Sequence, residues 1–303
     1  MRVVITGGSG TLGRALAPLL VERGDTAVAF DVSPIELPGC VFVRGDVRVA
    51  DDIDRALEGA DIVVHAAAWH GIHLRDHSPR EFYELNVTGT FNVWQAAAAH
   101  GVQGLVFSST MGVYGQSRVP AREDAIAIVH EDLPLVPGDI YGLTKVVGEE
   151  LSRFHQRRDG IPCVSMRYGM FVPEAWFRYG IRLLYGGVHE EDVARAVLAA
   201  VDALAGGRVA YDVLNVESPL PFTADDGPAL RSDPLLAIDR HFPGGANLLR
   251  ERGVTELKPV TEVFDTRRLE ERLGVRPRHD FGEWLAQLAR RPAERAETNP
   301  PWP

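Results

Sequence analysis

Short apolar runs alternate with longer stretches of helically spaced apolar residues through the first two thirds of the chain. The short runs are rich in Val, Ile and Ala without regular polar alternation, which is typical of strands covered by helices on both faces. Strands separated by helices pair in parallel through right-handed crossovers, so the pattern predicts a doubly wound α/β sheet. The predicted strands are 2–6, 26–30, 41–44, 61–65, 103–108, 161–168 and 209–214, and the predicted helices are 11–23, 50–58, 79–100, 141–158 and 189–204.

The pattern changes after about residue 214. Residues 217–245 are rich in Pro, Asp and Gly, and only two short helical patterns follow, at 266–273 and 281–289. No sharp linker separates the two parts. We therefore expect a main domain that carries the chemistry, a small C-terminal substrate lobe packed on it, and a poorly ordered tail. The boundaries that we predict are 1–216, 217–292 and 293–303.

Composition excludes several classes of function. The 303 residues carry a net charge of −10 without a basic stripe, which argues against nucleic-acid binding. No apolar run reaches the roughly 18 residues of a membrane span, and no N-terminal targeting pattern is evident. Cys40 and Cys163 are too few for a disulfide framework or a zinc site, so we expect a cytoplasmic protein.

A glycine-rich motif, TGGSGTLG, lies between the first predicted strand and the first predicted helix. Gly7 lets the chain turn sharply, Gly10 lets a pyrophosphate approach the backbone, and Gly13 lets the helix lie close to the sheet. The free N–H groups at the helix start, near Thr11 and Leu12, would meet the phosphates. A ligand-free turn is the alternative. In this context the motif favours a Rossmann-type dinucleotide-binding domain.

Two acidic residues follow the next strands. Asp31 ends the second strand, near the spacing at which a carboxylate meets the adenosine ribose. Because it would repel a 2′-phosphate, Asp31 predicts NAD rather than NADP, although it could instead cap the next turn. Asp46 and Val47 follow the third strand. The Asp46 carboxylate could accept the adenine amino group or bond its own loop backbone.

A tyrosine and a lysine lie four residues apart at the start of a predicted helix. In the sequence YGLTK, Tyr141 and Lys145 share one face of that helix. A neighbouring cation favours the phenolate and so is expected to lower the pKa of Tyr141 from about 10. Such a phenol can exchange a proton with a substrate hydroxyl during hydride transfer. The spacing alone is common, and it gains weight from the nucleotide motif before it.

Further motifs accompany these two. The chain contains VVHAAA ending at Ala68, NVTGT starting at Asn86 and FSSTMGVYG starting at Phe107. With the glycine motif, Asp31 and YGLTK, they resemble the extended short-chain dehydrogenase/reductase family, in its NAD-dependent epimerase/dehydratase group. The resemblance runs from residue 1 to about residue 216, and a weaker similarity continues to residue 288.

The resemblance implies a role for each matching residue. Tyr141 would be the acid/base, Lys145 would hold the nicotinamide ribose and tune Tyr141, and Thr110 would hydrogen-bond the reacting oxygen. Asn86 would support the site from behind. The alternatives are a backbone-bonded hydroxyl for Thr110 and a buried structural amide for Asn86. The residues implied to line the cofactor here are Ala66, Ala67, Ala68 and Ser108.

The chain also departs from parts of the family pattern. Met111 and Gly112 stand where dehydratases and decarboxylases carry an acid, which disfavours those reactions. Gly169 replaces the Asn of nucleotide-sugar enzymes, and the segment before residue 189 is short. These departures resemble the compact sugar-acid dehydrogenases more than the UDP-sugar 4-epimerases, although residues 217–253 could supply a substitute lobe.

The segment WHGIHLRDH follows the cofactor-lining alanines, in a loop that faces the substrate in this family. Its Trp69, His70 and His73, together with Met111, are our candidate substrate residues. Trp69 is equally open to being a stacking wall or a core residue. Because the histidines lack a metal-ligand spacing, we predict no metal site.

Three functions remain open from the sequence. The leading one is an NAD-dependent oxidoreductase that acts on a sugar-like hydroxyl or carbonyl, with a sugar acid as one candidate. The others are an NAD-retaining epimerase and a non-catalytic NAD-binding regulator. Helices 79–101 and 141–158 correspond to the pair that forms dimers in this family, so a homodimer is expected.

Overall fold

A computed structural model describes residues 1–291. Its main sheet has seven strands in the order β3-β2-β1-β4-β5-β7-β8, and every neighbouring pair is parallel. The predicted doubly wound, Rossmann-type sheet is therefore confirmed. The strands are β1 (Arg2–Thr6), β2 (Thr26–Asp31), β3 (Val41–Arg44), β4 (Ile62–His65), β5 (Gly104–Thr110), β7 (Cys163–Tyr168) and β8 (Tyr211–Val216), and β6 (Ala127–Val129) lies outside this sheet.

Helices cover both faces of the sheet because its strands are apolar on both sides. One face is buried under α1, α7 and α11, and the other under α2, α4 and α5. The helices are α1 (Thr11–Glu22), α2 (Ala50–Leu57), α3 (Pro79–Tyr83), α4 (Gly89–Ala99), α5 (Ile140–Asp159), α6 (Trp176–Arg182), α7 (Glu190–Ala205), α8 (Gly227–Ser232), α9 (Pro234–His241), α10 (Gly245–Glu251), α11 (Arg267–Leu273) and α12 (Phe281–Arg290).

The last strand of the sheet lies later than its apolar pattern suggested. β8 runs from Tyr211 to Val216, whereas the sequence predicts 209–214. Pairing with β7 sets the register, since Cys163 lies opposite Tyr211 and Tyr168 lies opposite Val216. This shift brings the ends of the two strands level at the edge where the site lies.

The C-terminal part contains more helix than the sequence predicts. Helices α8 and α9 lie within residues 217–245, the stretch rich in Pro, Asp and Gly, and α10 begins at its last residue. The prolines and the aspartate there start helices: Pro228 and Pro234 lie in first turns, and Asp233 caps α9 through the N–H of Leu235. Helices this short lack the repeated apolar spacing on which a sequence reading depends.

The core of this lobe includes residues from both parts of the chain. Ile181, Leu183 and Leu184, which follow β7, pack with Leu230 and Trp284. Strand β6 pairs in parallel with β9 (Glu262–Phe264), outside the main sheet. The predicted division at residue 216 remains a prediction, and the predicted tail at 293–303 lies outside the described residues.

A buried ion pair connects α5 to the sheet. The guanidinium of Arg167 on β7 donates from Nε and Nη2 to the two carboxylate oxygens of Glu149, at 2.9 and 2.7 Å. The Ser109 hydroxyl on β5 donates to the same carboxylate at 2.5 Å. Arg167 also donates to the Tyr114 hydroxyl, which donates in turn to Asn215 on β8. Three strands and one helix are thus fixed behind the active edge of the sheet.

Within residues 1–291, no helix combines the length and the apolar character that crossing a membrane requires.

Removal of the carboxylate from this ion pair should destabilise the fold. Glu149→Ala leaves the Arg167 guanidinium, whose side chain is 3% exposed, without its charge partner. An uncompensated buried charge costs about 3–5 kcal/mol, so the unfolding free energy measured by urea denaturation should fall by that amount. The control Asp132→Ala removes the exposed pair with Arg268 and should change stability much less. Equal losses in the two variants would contradict this account.

Candidate active site

The glycine turn between β1 and α1 lies at the carboxyl edge of the sheet. Gly7 has a φ of +69°, and a Cβ there would lie 2.7 Å from the backbone N of Ala67. A Cβ on Gly13 would lie 2.1 Å from the carbonyl oxygen of Gly8, so α1 packs directly on the turn. Gly10 precedes α1 without a side-chain cap, and no acidic residue lies in the first turn. The N–H groups at the start of α1, including those of Thr11 and Leu12, are therefore available to an anion.

Asp31 lies beside this turn at the end of β2. Its carboxylate accepts hydrogen bonds from the backbone N–H of Ser9 at 3.0 Å and of Ser33 at 2.9 Å. The bond from Ser33 caps the turn that follows β2, and the bond from Ser9 connects Asp31 to the glycine motif. Each oxygen keeps acceptor capacity for a ribose hydroxyl.

Asp46 and Val47 have more local contacts. The Asp46 carboxylate binds the Arg48 guanidinium, with a shortest distance of 2.6 Å, and accepts the Arg48 N–H. Although desolvation raises the pKa of Asp46, its hydrogen bonds to Arg48 lower the pKa overall. Val47 is buried against Gly89 at the start of α4. An adenine contact by Asp46 remains a prediction.

The alanines after β4 are held by a buried polar pair. The Thr6 hydroxyl accepts the N–H groups of Ala66 and Ala67 at 3.2 and 3.3 Å, and it lies 2.6 Å from His65 Nδ1. The other ring nitrogen of His65 lies 2.9 Å from the Thr90 hydroxyl. Burial, aided by the Lys145 cation, lowers the pKa of His65 to about 3, so this ring is neutral. Ala66, Ala67 and the adjoining Ala68 remain partly exposed along the cleft.

Tyr141 lies in the first turn of α5, against the end of β5. Asp139 caps this helix by accepting the N–H of Gly142 at 2.7 Å. Desolvation raises the pKa of Tyr141 to about 12, against a lowering by hydrogen bonding with the Thr110 hydroxyl. Thr110 also accepts the N–H of Gly112 at 3.1 Å. The predicted downward shift of the Tyr141 pKa is thus wrong for this structure.

The position of Lys145 explains that difference. Its Nζ donates to the Ser108 carbonyl at 2.7 Å and lies 6.0 Å from the centre of the Tyr141 ring. The lysine is 3% exposed, and desolvation lowers its pKa to about 7. The Lys145 amine is therefore only partly protonated near neutral pH. Burial then has a larger effect on the pKa of Tyr141 than attraction between the phenolate and this cation.

The loop after the alanines forms a roof over Tyr141. Asn86 fixes its start: the Asn86 Oδ1 accepts the Trp69 N–H at 2.8 Å, and its Nδ2 donates to the Trp69 carbonyl at 2.9 Å. His77 stacks on the Trp69 ring at 3.8 Å between centres, which covers one face of the indole. The His70 ring lies 6.0 Å from the Tyr141 ring, and the His70 N–H donates to His73 Nδ1 at 2.9 Å.

Met111 follows Thr110 directly and forms one wall of the site. A Cβ on Gly186 would lie 2.9 Å from the Met111 sulfur, so the thioether packs against the chain between α6 and α7. Met111 also packs with the apolar cluster around Phe264 of the lobe. It thereby joins the reacting edge of the sheet to the C-terminal lobe.

The amino-acid sequence matches a known family over the same region. Residues 3–174 fit the sequence model of the NAD-dependent epimerase/dehydratase family, which is more than half of the chain. The chain belongs to this family. The resemblance found from its motifs is confirmed, and the protein is an NAD-dependent enzyme.

Individual relatives within the family differ in activity. The chain is 34% identical over 233 residues to L-arabinose 1-dehydrogenase (NAD(P)(+)) of Haloferax volcanii, covering 72% of this chain and 85% of that protein. It is 29% identical over 201 residues to uronate dehydrogenase of Pseudomonas putida, covering 65% and 69%. It is 29% identical over 282 residues to UDP-glucose 4-epimerase of Streptomyces lividans, covering 88% and 79%.

Solved structures agree on the fold. UDP-glucose 4-epimerase of Thermus thermophilus, in complex with NAD, superposes with a TM-score of 0.65 at 22% identity, covering 95% of this chain and 99% of that one. A short-chain dehydrogenase/reductase superfamily protein from Agrobacterium tumefaciens with bound NAD gives 0.70 at 21% identity, covering 96% of each chain.

The geometry of the cofactor cradle, formed by the glycine turn, the start of α1 and Asp31, fits the family's cofactor. A Cβ on Gly7 or Gly13 would collide with the backbone of Ala67 or Gly8, so these glycines allow the tight turn, and the start of α1 lacks a capping side chain. The Asp31 carboxylate next to it suits an unphosphorylated ribose. These features match a dinucleotide with a pyrophosphate and a free 2′-hydroxyl, as in NAD.

Sequence reasoning missed two polar residues that support this site. Glu149 lies four residues after Lys145 and eight after Tyr141, so its place on the same face of α5 was a usable signal. His65 ends an apolar strand and carried no such signal. Its contacts with Thr6 and Thr90 arise only when β1, β4 and α4 come together.

Asp31→Ser should weaken the use of NAD. The variant loses the carboxylate that would accept ribose hydroxyls, and Arg14, which donates to the Ser9 carbonyl at 2.9 Å, lies nearby to attract a 2′-phosphate. A hydrogen bond to a charged group contributes about 1.5–3 kcal/mol, so the KM for NAD should rise about 10- to 100-fold while NADP gains relative efficiency.

The measurement is steady-state kinetics with each coenzyme. Asp54→Ser, on the exposed face of α2, is the matched control and should keep the wild-type coenzyme preference. An unchanged KM for NAD in Asp31→Ser would remove the role assigned to this carboxylate.

Tyr141→Phe should strongly reduce turnover without loss of NAD binding. The change removes only the hydroxyl that exchanges the proton, and general acid/base groups contribute about 10²–10⁴-fold to rate. We expect kcat to fall by that factor and the dissociation constant for NAD, measured by calorimetry, to stay within about twofold. Tyr211→Phe, at the far end of β8, is the control. Normal turnover in Tyr141→Phe would refute the assignment.

Proposed function

We propose that this enzyme oxidises the anomeric hydroxyl of a free sugar or sugar acid, with NAD as hydride acceptor. The observation that carries the proposal is the cluster of Thr110, Tyr141 and Lys145 at the same edge of the sheet as the glycine turn. The similarity to an L-arabinose 1-dehydrogenase supports a free sugar and the carbon attacked, and the similarity to uronate dehydrogenases supports a sugar acid.

The proposed chemistry uses each member of the cluster once. The Tyr141 phenolate takes the proton from the substrate hydroxyl, and the Thr110 hydroxyl donates a hydrogen bond to the same oxygen. When protonated, Lys145 donates one N–H to the Ser108 carbonyl and has two N–H groups left for the nicotinamide ribose. NAD supplies the acceptor for the hydride that leaves the carbinol carbon, and the sugar is released as a lactone.

Burial raises the pKa of Tyr141 to about 12, so its phenolate is scarce at neutral pH, and the phenolate fraction grows as pH rises. We therefore expect the oxidation rate to rise with pH through the neutral range.

The substrate would lie between the roof loop and Met111. His70 and His73, whose rings lie 5.9 Å apart on this loop, would hydrogen-bond a polar ring, and the stacked pair of Trp69 and His77 would lie beside it. Because His77 covers one face of Trp69, only the other face remains for contact with a sugar. Asn86 would act by holding this loop rather than by touching the substrate.

The segment between β7 and α7 argues for a small substrate. Its α6 is occupied by packing on the lobe, where Trp176 and Phe177 contact Trp284 and a Cβ on Gly180 would lie 1.8 Å from that indole. A nucleoside diphosphate needs groups that bind its base and phosphates. The short 169–189 segment offers few, since Arg182 is already paired with Glu174.

An epimerase that retains its NAD is the second candidate. The similarity to UDP-glucose 4-epimerase, which extends over 88% of the chain, favours it. This reaction would use the same tyrosine and lysine to oxidise and then re-reduce one carbon. It predicts tightly held coenzyme, whereas a dehydrogenase must exchange NAD for NADH in each cycle.

A substrate panel and a coenzyme analysis separate the two functions. We expect NADH formation with L-arabinose, other aldoses or uronates, and no interconversion of UDP-glucose and UDP-galactose. Protein denatured directly after purification should release NAD in less than stoichiometric amount. Stoichiometric NAD with interconversion of the UDP-sugars would replace the dehydrogenase by the epimerase. Binding of NAD without turnover of any sugar would favour the regulator.

We also propose a homodimer formed through α4 and α5. Phe91 on α4 and Phe154 and Leu143 on α5 are 46%, 44% and 48% exposed on these two adjacent helices. Large apolar side chains grouped in this way are typical of association surfaces. Light scattering should give twice the chain mass, and Phe154→Glu should give the single mass. A wild-type monomer at micromolar concentration would refute the dimer.

The free thiols of Cys40 and Cys163 suit a reducing compartment, and we propose the cytoplasm. Fractionation of cells that express a tagged chain tests this location.

A further inference from the structure

Two histidines and a glutamate converge outside the active site. His189 precedes α7 as its cap, Glu191 lies in the first turn of that helix, and His279 lies just before α12. One nitrogen or oxygen from each comes within 4.8 Å of the others, and the two rings are stacked with centres 4.2 Å apart. Among residues 1–291, this is the group of His, Cys, Asp and Glu side chains close enough to hold one metal ion.

A buried carboxylate fixes the orientation of His279. Asp192 is fully buried, and its Oδ2 accepts the N–H groups of Arg278 and His279 at 2.9 and 2.8 Å. The same oxygen lies 3.1 Å from His279 Nδ1. This leaves Nε2 of His279 facing the Glu191 carboxylate at 3.6 Å. A carboxylate that holds the far nitrogen of a histidine is the usual support of a histidine that binds a metal.

His189 is held in place by weaker contacts. Its Nδ1 accepts the N–H of Glu191 at 3.2 Å, and Tyr179 packs edge-on against its ring at 5.3 Å. A metal at Nδ1 would replace this long hydrogen bond. Because Glu191 is exposed, its freed N–H would then bond to water.

We propose that these three residues form a zinc site that joins α7 to the start of α12. Two imidazole nitrogens and one carboxylate oxygen are a donor set that zinc accepts, with water as the fourth ligand. Donor atoms around tetrahedral zinc lie about 3.5 Å apart. The Glu191 carboxylate already lies 3.6 Å from His279 Nε2. The site therefore closes by rotation of the His189 ring out of its stack with His279, because two stacked imidazoles cannot both direct a nitrogen lone pair at one ion.

The site would fix the C-terminal lobe to the sheet domain. α7 covers the main sheet, whereas α12 contributes Phe281 and Trp284 to the lobe core. His189 also lies three residues after Gly186, whose backbone contacts Met111 at the substrate wall. A zinc ion here would reduce the movement of the lobe relative to that wall. Residues 189 and 279 lie far apart along the chain, so no local spacing in the sequence indicates this site.

Zinc titration of the full chain tests this site. After treatment with a chelator, the protein is titrated with ZnCl₂ against a chromophoric zinc chelator, and its thermal midpoint is recorded with and without zinc. We expect one tight site and a higher midpoint. Both should be lost in His279→Gln, and affinity should fall at least tenfold in Glu191→Gln, a surface change that leaves folding intact.

His73→Gln and His100→Gln are the control variants, because they remove histidines from the active-site loop and from the surface after α4. Both should keep the tight site. Zinc binding that survives in Glu191→Gln and His279→Gln, or that disappears in His73→Gln, would overturn the proposal. The same holds for wild-type protein without saturable binding, which would leave His279 paired only with the two carboxylates.

Discussion

The active site depends on the parallel pairing of all seven strands. Parallel strands bring their carboxyl ends to one edge of the sheet, so the residues that follow β1, β2, β4 and β5 meet there. The glycine turn, Asp31, the alanines and Thr110 are far apart in sequence and adjacent for this reason alone. Antiparallel pairing of any one strand would carry its residue to the opposite edge.

Burial of charged and polar groups behind this edge gives the site its chemistry. The pair of Glu149 and Arg167 holds α5 against β5 and β7, and the same helix carries Tyr141 and Lys145. Since the lysine lies where water is largely excluded, its pKa falls to about 7, and burial raises that of the tyrosine to about 12. Both shifts favour the uncharged form of the side chain, so a proton exchange between phenol and substrate is sensitive to any charge brought into the cleft.

The C-terminal lobe has a different relation to the sheet. It takes Ile181 and Leu184 from the segment after β7 into its core, and it reaches the site through Met111 and Phe264. Packing between lobe and sheet therefore bounds the space beside Met111. In this arrangement a contact that fixes the lobe, such as the group around His279, bears directly on the substrate wall.

The sequence by itself determined the succession of strands and helices that build the main sheet, the glycine turn between β1 and α1, and the place of Tyr141 and Lys145 on one face of α5. It could do so because these depend on local spacing: apolar runs set strands, glycines set the turn, and four residues set one helical face. Only the tertiary structure decided the direction of the Tyr141 pKa shift, the role of His65, and the presence of α8 to α10. Each of these depends on burial or on contacts between segments far apart in the chain, and no local pattern of residues encodes them.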